Sequence, residues 1–316
     1  MLHPARTARA FVLGAFMPNG GTYMAYHVAR LFQDAFGFEP VAVVVDGETP
    51  DHGVFRYDRT FPSVAIEEME RAITARDVLL ANAGHSRYVF GPRLPGRKLM
   101  YVQHFVTARP LDVCFDMYVS VSSFVQRYLK TLYDVEAPLI PPFVELDRMP
   151  SVAPWEDRAP GSVVVHVKTS HPDLDALRAV LRRRGVAIAL DDVLPLGLTH
   201  DEYLRRIGAA RHLVTVASAE GFGLVALEAM ALGTTVLGFD GYGGRDFLRD
   251  GVNAACTAYG DFVGLATRIA ATVGDPARAA RLADGGHRTA AGYGYEPFRE
   301  AWTARIAQFL NATARG

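Results

Sequence analysis

Short apolar runs alternate with amphipathic helical patterns along nearly the whole chain, and this alternation constrains the fold more than any other feature. Runs such as 10–16, 39–46 and 77–82 lack a polar residue at every second position, as expected of strands that are buried on both faces. Helical patterns separate them, for example 22–37, which ends at Gly37. The pattern predicts an α/β fold with parallel sheets covered by helices.

A proline-rich stretch, 137–161, interrupts this alternation with six prolines. Proline continues neither a helix nor a central strand, so we place a domain boundary here, between residues 148 and 149. The α/β pattern then restarts and includes a predicted strand over 186–190. Two α/β domains predict a ligand cleft between them, at the carboxyl ends of their strands.

Composition excludes several classes of protein. Half of the residues are apolar and the net charge is −1, without the basic excess of a nucleic-acid-binding protein. No apolar run reaches the roughly 18 residues of a transmembrane helix, although a peripheral membrane contact stays open. Two distant cysteines predict a reduced, cytoplasmic protein. Abundant arginine and only three lysines are typical of a bacterial chain from a GC-rich genome.

The stretch 214–241, VTVASAEGFGLVALEAMALGTTVLGFDG, carries the strongest functional signal. A strand, a glycine turn and a helix start follow one another, and backbone N–H groups at a helix start bind phosphate. Gly221 and Gly223 allow a ligand to approach the backbone closely. Glu220 and Glu228 bracket the turn, and an ionised carboxylate binds hydroxyl groups rather than phosphate. Together they predict a site for a diphosphate with a hydroxylated ring on each side, as in a nucleotide-sugar.

Two other interpretations are open at this point. Glu220 could be a dipole-favoured acid at the helix start and Glu228 a solvated residue, although LVALEAMAL is apolar on almost every side. Alternatively, Gly221-x-Gly223-x-x-Ala226, with Asp240 nineteen residues after Gly221, fits the dinucleotide fingerprint of an NAD-dependent dehydrogenase. The dehydrogenase hypothesis leaves both glutamates unexplained. The fingerprint also usually stands at the start of its domain, whereas here α/β structure precedes it.

Residues 219–254 resemble the donor-binding segment of retaining glycosyltransferases with the GT-B fold, family 4 (glycosyltransferase group 1). The resemblance rests on EGFG, then EAMA-x-G, then GG and GVNA. It implies two Rossmann-like α/β domains that face each other across a cleft. Residues 1–148 would be the acceptor-side domain and 149–294 the nucleotide-sugar-binding domain, with the helix 295–316 packing back on the first domain.

The resemblance also assigns roles to individual residues. The expected catalytic residues are His104, Lys168 and Glu220, with Glu220 at the transferred sugar and His104 near the reacting centre. The expected donor-binding residues are Gly20, Gly21, Leu198, Gly221, Phe222, Gly223, Leu224 and Glu228. Glu228 would bind the ribose, Leu198 would lie beside the base, and His85 is a candidate for the acceptor side.

Lys168 marks a departure from the family pattern. The family usually has an Arg…Lys pair that clamps the diphosphate, but only His171 follows Lys168 at the expected distance. Arg245 is one candidate for the second cation, and Asp246 stands in place of the usual glutamate.

The implied activity is transfer of a sugar from a nucleoside-diphosphate sugar, with retention of configuration and without a metal or other cofactor. The acceptor is a small molecule or a saccharide, and the sequence does not choose among UDP, GDP and dTDP. A non-catalytic nucleotide-sugar-binding subunit is the alternative that the incomplete clamp suggests.

Overall fold

The computed structural model describes residues 7–47, 50–105, 110–167 and 172–312. The chain divides into two compact units. Unit 1 comprises Met1–Pro141 and Glu296–Gly316, and unit 2 comprises Pro142–Tyr295. The first boundary therefore lies a few residues before the predicted 148/149, and the second falls beside the predicted 294/295.

The structure has strands that overlap the predicted runs 10–16, 39–46 and 77–82, and a helix that overlaps the predicted 22–37. The strands are β1 (Arg9–Leu13), β2 (Glu39–Val44), β3 (Ser63–Ala65), β4 (Val78–Ala81), β5 (Arg97–Val102), β6 (Met117–Ser120), β7 (Val163–His166), β8 (His212–Thr215), β9 (Thr235–Phe239) and β10 (Ala255–Thr257). The helices are α1 (Gly20–Phe36), α2 (Ile66–Ala72), α3 (Phe90–Arg93), α4 (Ser123–Tyr133), α5 (Pro172–Arg183), α6 (His200–Ala209), α7 (Leu224–Ala231), α8 (Phe262–Val273), α9 (Pro276–Ala290) and α10 (Tyr295–Ala312).

The sheet of unit 1 is parallel and runs in the order β3-β2-β1-β4-β5-β6. Its strands β1 and β4 are buried along their whole length and β5 along all but its first residue, as Phe11, Leu79 and Leu99 illustrate with at most 1% exposure. Burial on both faces explains why these strands show no alternation of polar and apolar residues. The prediction of parallel α/β sheets is confirmed.

A buried ion pair joins the start of β1 to the start of β4. The guanidinium of Arg9 donates to Asp77 at 2.7 Å, and both side chains are almost fully buried. The Arg9 backbone N–H also donates to Asp77, at 2.8 Å, and the Thr74 hydroxyl donates at 2.9 Å. Burial alone would raise the pKa of the Asp77 carboxyl, but these hydrogen bonds hold it below its ordinary value.

Helix α10 packs within unit 1. Trp302 is fully buried and meets the ring of Tyr101 on β5 edge to face, with 4.9 Å between the ring centroids. Arg97, the first residue of β5, donates from its guanidinium to the carbonyl of Leu310 at 2.7 Å. These contacts fix the helix against the sheet, although it lies far from β5 in the sequence.

The sheet of unit 2 is parallel in the order β10-β9-β8-β7. Its core packs α5 and α8 against the strands, with Leu177, Val214 and Leu265 fully buried. The prediction of a strand over 186–190 is wrong, because residues 192–194 take the place beside β7. The N–H of Val165 donates to Asp192 at 2.8 Å, and the N–H of Leu194 donates to Val165 at 2.9 Å.

None of the helices within the described ranges is both long and apolar enough to cross a membrane.

Candidate functional site

Two loops pack tightly together beyond the ends of β8 and β9. Glu220 pairs with Tyr242 in a single parallel bridge, and the N–H of Gly243 donates to the Glu220 carbonyl at 3.0 Å. A side chain at Gly243 would collide with the backbone of Gly221, and its Cβ would lie 2.6 Å from the Phe222 nitrogen. The backbones of the two loops therefore touch, and the contact holds the glycine turn in position.

Helix α7 starts in this turn. Gly223 adopts a left-handed conformation, with φ of 100°, and caps the helix without any side-chain hydrogen bond. The Ala226 N–H donates to the Gly223 carbonyl at 3.1 Å, so the N–H groups of Leu224 and Val225 precede the intrahelical ladder. Phe222 is buried against Phe247 and Tyr293 and anchors the turn. The half-exposed start of α7 thus presents N–H groups and the positive end of the helix dipole.

A small cavity of about 20 Å³ opens at the carboxyl ends of β7, β8 and β9. It brings together the strand-end residues, Glu220 and the start of α7. Its lining residues are His166, Thr215, Ala217, Glu220, Gly223, Val225, Ala226, Phe239, Asp240, Gly241, Gly244 and Leu248. Ligands of α/β proteins bind outside the carboxyl ends of parallel strands, so this cavity is where a ligand of unit 2 is expected.

Glu228 is buried in α7, with 6% exposure. The interpretation of Glu228 as a solvated residue is therefore wrong, because the apolar surroundings bury this whole turn of the helix. Its Oε1 lies 2.7 Å from Nε2 of His200, the first residue of α6. An ionised carboxylate only accepts hydrogen bonds, so Nε2 carries the proton in this pair.

The charge around His200 favours its protonated form. Burial lowers the pKa of His200, but the hydrogen bond to Glu228 and the charges of Glu228, Glu145 and Asp201 outweigh burial and raise it. The Tyr203 hydroxyl lies one turn further along α6. It is buried and has no hydrogen-bond partner among the described residues. Burial raises the pKa of Tyr203 well above its ordinary value, and the charges of Glu228 and Glu220 add to this.

Asp240, at the end of β9, is engaged within its own loop. Its carboxylate accepts from the Arg245 guanidinium at 2.7 Å and from the Tyr242 N–H at 3.1 Å. The Arg245 guanidinium also lies over the Tyr242 ring, 4.9 Å from its centroid. Arg245 is thus held beside the cavity that Asp240 lines.

Three predicted residues of unit 1, Gly20, Gly21 and His104, follow the carboxyl ends of β1 and β5. Gly20 and Gly21 open α1, whose Asn19 cap accepts from the Thr22 N–H at 2.9 Å. The Gln103 side chain donates to the Gly21 carbonyl at 2.8 Å, and a Cβ at Gly21 would come within 2.6 Å of that side chain. Gln103 thus joins the glycine turn to the segment that carries His104.

The remaining predicted residues lie in different places. His85 is buried in a turn after β4, where its Nδ1 accepts from the Asn82 N–H at 3.4 Å. This contact caps a short 3₁₀ helix. Leu198 is half-buried just before Thr199, the residue that caps α6. Lys168 and His171 lie outside the described residues.

Sequence reasoning missed His200, Tyr203 and Gln103. Gln103 adjoins the predicted His104, and His200 lies two residues after the predicted Leu198, but the roles of both depend on partners far away in the sequence. The apolar surroundings of Glu228 were the available signal, because a buried carboxylate requires a polar partner.

Residues 194–289 match the sequence model of a family described as glycosyl transferases group 1. The match contains the glycine turn, both glutamates and all of α6. The family match is thus confined to this segment of unit 2.

A curated relative of the group 1 segment is the lipopolysaccharide core biosynthesis glycosyltransferase LpsE of Rhizobium meliloti (strain 1021). It is 36% identical over 104 residues, which is 33% of this chain and 30% of LpsE. The aligned region thus spans about a third of each protein.

Solved structures resemble nearly the whole chain. Sucrose-phosphate synthase from Thermosynechococcus elongatus gives a TM-score of 0.70 at 15% identity, covering 96% of this chain and 100% of that one. The Anabaena protein HepE, in complex with UDP and glucose, gives 0.71 at 14% identity, with coverage of 96% and 100%. A glycosyltransferase from Rickettsia africae gives 0.71 at 12% identity, with coverage of 96% and 99%. The fold is that of the GT-B glycosyltransferases.

Proposed function

We propose that this chain is a glycosyltransferase that moves a sugar from a nucleoside-diphosphate sugar to an acceptor, with retention of configuration and without a metal ion. The observation that carries the proposal is the half-buried start of α7, which lines the same cavity as Glu220 and is followed by Glu228 one turn further along the helix. The group 1 family match over the same residues supports it. HepE, a structural neighbour, was solved with UDP and glucose, which supports a nucleotide-sugar donor.

Each part of the site has a role in this proposal. The N–H groups of Phe222, Gly223 and Leu224 bind the diphosphate and stabilise the negative charge that grows on it as the sugar leaves. Glu220 binds hydroxyl groups of the transferred sugar, and Glu228 binds the ribose. Leu198 lies against the base, and Lys168 supplies a cation to the leaving group.

Unit 1 supplies the remaining proposed groups. Gly20 and Gly21 allow close approach to the diphosphate at the start of α1, and His104 contacts the sugar near the reacting carbon. His85 is proposed for the acceptor side, where the acceptor is a small molecule or a saccharide. With no covalent nucleophile assigned, the acceptor attacks from the face that the phosphate leaves, and a phosphate oxygen takes its proton.

The test of this function is donor binding by a Glu228→Gln variant. The amide keeps the shape of Glu228 and can still accept from His200, but it loses the charge that strengthens hydrogen bonds to ribose hydroxyls. Such bonds contribute about 1.5–3 kcal/mol, so we expect affinity for UDP-glucose or GDP-mannose to fall about tenfold to a hundredfold in calorimetry.

The matched control for that test is Asp284→Asn, which removes one exposed carboxylate from α9 in the same unit. Its donor affinity should equal that of the wild type. Equal affinity of Glu228→Gln and the wild type would disprove the ribose role. Absence of any nucleotide-sugar binding by the wild type would disprove the function.

Two alternatives make different predictions. A non-catalytic nucleotide-sugar-binding subunit would show neither transfer nor donor hydrolysis, so either reaction in the purified protein dismisses it. A dehydrogenase would need Asp240 for the cofactor ribose, but Asp240 already binds Arg245 and the Tyr242 N–H. Binding of NAD in place of UDP or GDP would favour the dehydrogenase.

A further inference from the structure

Helix α6 presents two polar side chains to the buried carboxylate of Glu228. His200 and Tyr203 are three residues apart and so share one face of the helix. His200 bonds to Glu228 at 2.7 Å, while the Tyr203 hydroxyl is buried near both Glu228 and Glu220. Neither residue has a role in the function proposed above.

His200 fixes the position of the Glu228 carboxylate. The Glu228 side chain is 7% exposed and that of His200 is 46% exposed, so the imidazole reaches from the surface to a buried charge. A buried carboxylate requires such a partner. His200 binds Oε1 of Glu228. This contact therefore fixes the direction in which the second carboxylate oxygen and the remaining lone pairs point.

The Tyr203 hydroxyl is a donor with no acceptor among the described residues. Burial and the two carboxylate charges keep the phenol protonated, since they raise its pKa. A buried hydroxyl that makes no hydrogen bond destabilises the protein unless a ligand supplies the missing acceptor. Because the charges of both Glu228 and Glu220 act on this phenol, the missing acceptor points to a ligand that carries oxygen atoms near those two carboxylates.

We propose that α6 supplies two positioning residues of the donor site: His200 holds Glu228 for the ribose hydroxyls, and the Tyr203 hydroxyl donates to an oxygen of the bound nucleoside diphosphate. This inference rests on the proposed function, because it assumes that unit 2 binds a nucleoside diphosphate.

Protonation of His200 links donor binding to pH. The charged groups around it are Glu228 on α7, Asp201 on its own helix and Glu145 from the start of unit 2, and all three favour the imidazolium. A bound nucleoside diphosphate adds further negative charge, so binding takes up a proton where His200 is neutral in the free protein. Affinity therefore falls as pH rises through the raised pKa of His200, above its ordinary value of about 6.5.

The experiment measures UDP and GDP binding by calorimetry from about pH 6 to about pH 9, in two buffers of different ionisation enthalpy. The wild type should take up a proton on binding near the pKa of His200, and its affinity should fall with pH. His200→Gln should bind about tenfold more weakly at the acid end. It should also lose the proton uptake and converge on the wild type at high pH.

Tyr203→Phe separates a ligand role from a structural one. Because the hydroxyl has no protein partner among the described residues, its removal should leave the melting temperature of the ligand-free protein unchanged or raise it. Binding of UDP or GDP should weaken about threefold to tenfold at every pH. A structural role would instead lower the melting temperature and leave affinity unchanged.

The control is Arg281→Gln, which removes a positive charge from the exposed face of α9 in the same unit. It should keep the wild-type proton uptake. If the wild type binds UDP or GDP and both His200→Gln and Tyr203→Phe match it in affinity and pH dependence, the inference is wrong and the proposed function stands. If the wild type binds neither nucleotide, the proposed function itself fails, and this inference with it.

Discussion

At the scale of single residues, the proposed donor site depends on two positions that carry no Cβ atom. Gly243 lies against the backbone of Gly221 so closely that no side chain fits between them. Gly223 begins α7 with a positive φ that other residues adopt only with strain. These two glycines place the N–H groups at the start of α7 beside Glu220.

Gly243→Ala should separate the two loops. Its Cβ would lie 2.6 Å from the Phe222 nitrogen, with backbone on both sides that cannot rotate away. Overpacking of this kind costs about 1–3 kcal/mol, so we expect a melting temperature several degrees lower and weaker nucleotide-sugar binding.

Gly292→Ala is the control for that variant, because its Cβ would meet the nearest atom, the Thr289 oxygen, at an ordinary 3.4 Å. The melting temperatures of Gly243→Ala and Gly292→Ala are compared by calorimetry. Equal melting temperatures would contradict the close contact at Gly243.

The sequence allowed prediction of some residues of the site but not of their partners. The burial of Glu228 follows from its apolar neighbours in the helix, since a pattern of near neighbours records burial. The pairing of Glu228 with His200 joins residues 28 positions apart, and it depends on how α6 packs against α7. A single sequence contains no local pattern that records such packing.

At the scale of elements, a strand predicted from the sequence forms only where the segment also makes hydrogen bonds with a neighbouring strand. The segment 186–190 has the apolar composition of a strand, yet residues 192–194 form the bonds with β7. Apolar composition indicates burial, and residues 186–190 are indeed partly buried against the core. A strand requires, in addition, hydrogen bonds in register with a neighbouring strand. The central strands have both, and their prediction was correct.

The Arg9–Asp77 pair fastens two central strands and should make unit 1 sensitive to acid. The pKa of Asp77 is held below its ordinary value, so its contribution to stability is present above the unfolded pKa of about 4 and is lost as pH falls through the native pKa. Asp77→Asn should therefore destabilise the protein by about 3–5 kcal/mol at neutral pH, since it leaves Arg9 buried without a charged partner.

That destabilisation should shrink below about pH 4, where the wild type loses the same charge. Denaturant titrations at several pH values measure it. Asp34→Asn is the comparison, because Asp34 forms exposed pairs with Arg30 and Arg59 that contribute at most about 1 kcal/mol. A constant difference between Asp77→Asn and wild type down to pH 2–3 would contradict the role of the pair.

At the scale of the whole molecule, each unit contains one of the two tryptophans. Trp302 is fully buried against Tyr101 in unit 1. Trp155 belongs to unit 2, where its indole N–H donates to the Arg211 carbonyl and the Thr235 hydroxyl. Tryptophan fluorescence can therefore follow each unit separately.

Two single-tryptophan variants should locate nucleotide binding. Trp302→Phe leaves Trp155 to report on unit 2, and Trp155→Phe leaves Trp302 to report on unit 1. Saturating UDP, at about 100 times its Kd, should stabilise the unit that binds it by about 2.7 kcal/mol, so the unfolding midpoint reported by Trp155 should rise. Adding Glu228→Gln should reduce the stabilisation to about 0.4–1.4 kcal/mol at the same UDP concentration, because the variant binds about tenfold to a hundredfold more weakly. A rise reported by Trp302 alone would place the nucleotide in unit 1.

Unit 1 is discontinuous in the sequence, because residues 296–312 of α10 complete it after all of unit 2 has intervened. On the ribosome, residues 142–295 emerge as an unbroken segment and can fold as soon as they are clear of the exit tunnel. Throughout that time the apolar surface around Tyr101 lacks its packing partner, Trp302. The N-terminal part of unit 1 is thus synthesised first, but its fold is completed only after α10 has emerged. Its apolar surface is exposed until then, and this surface is where a chaperone would act during synthesis.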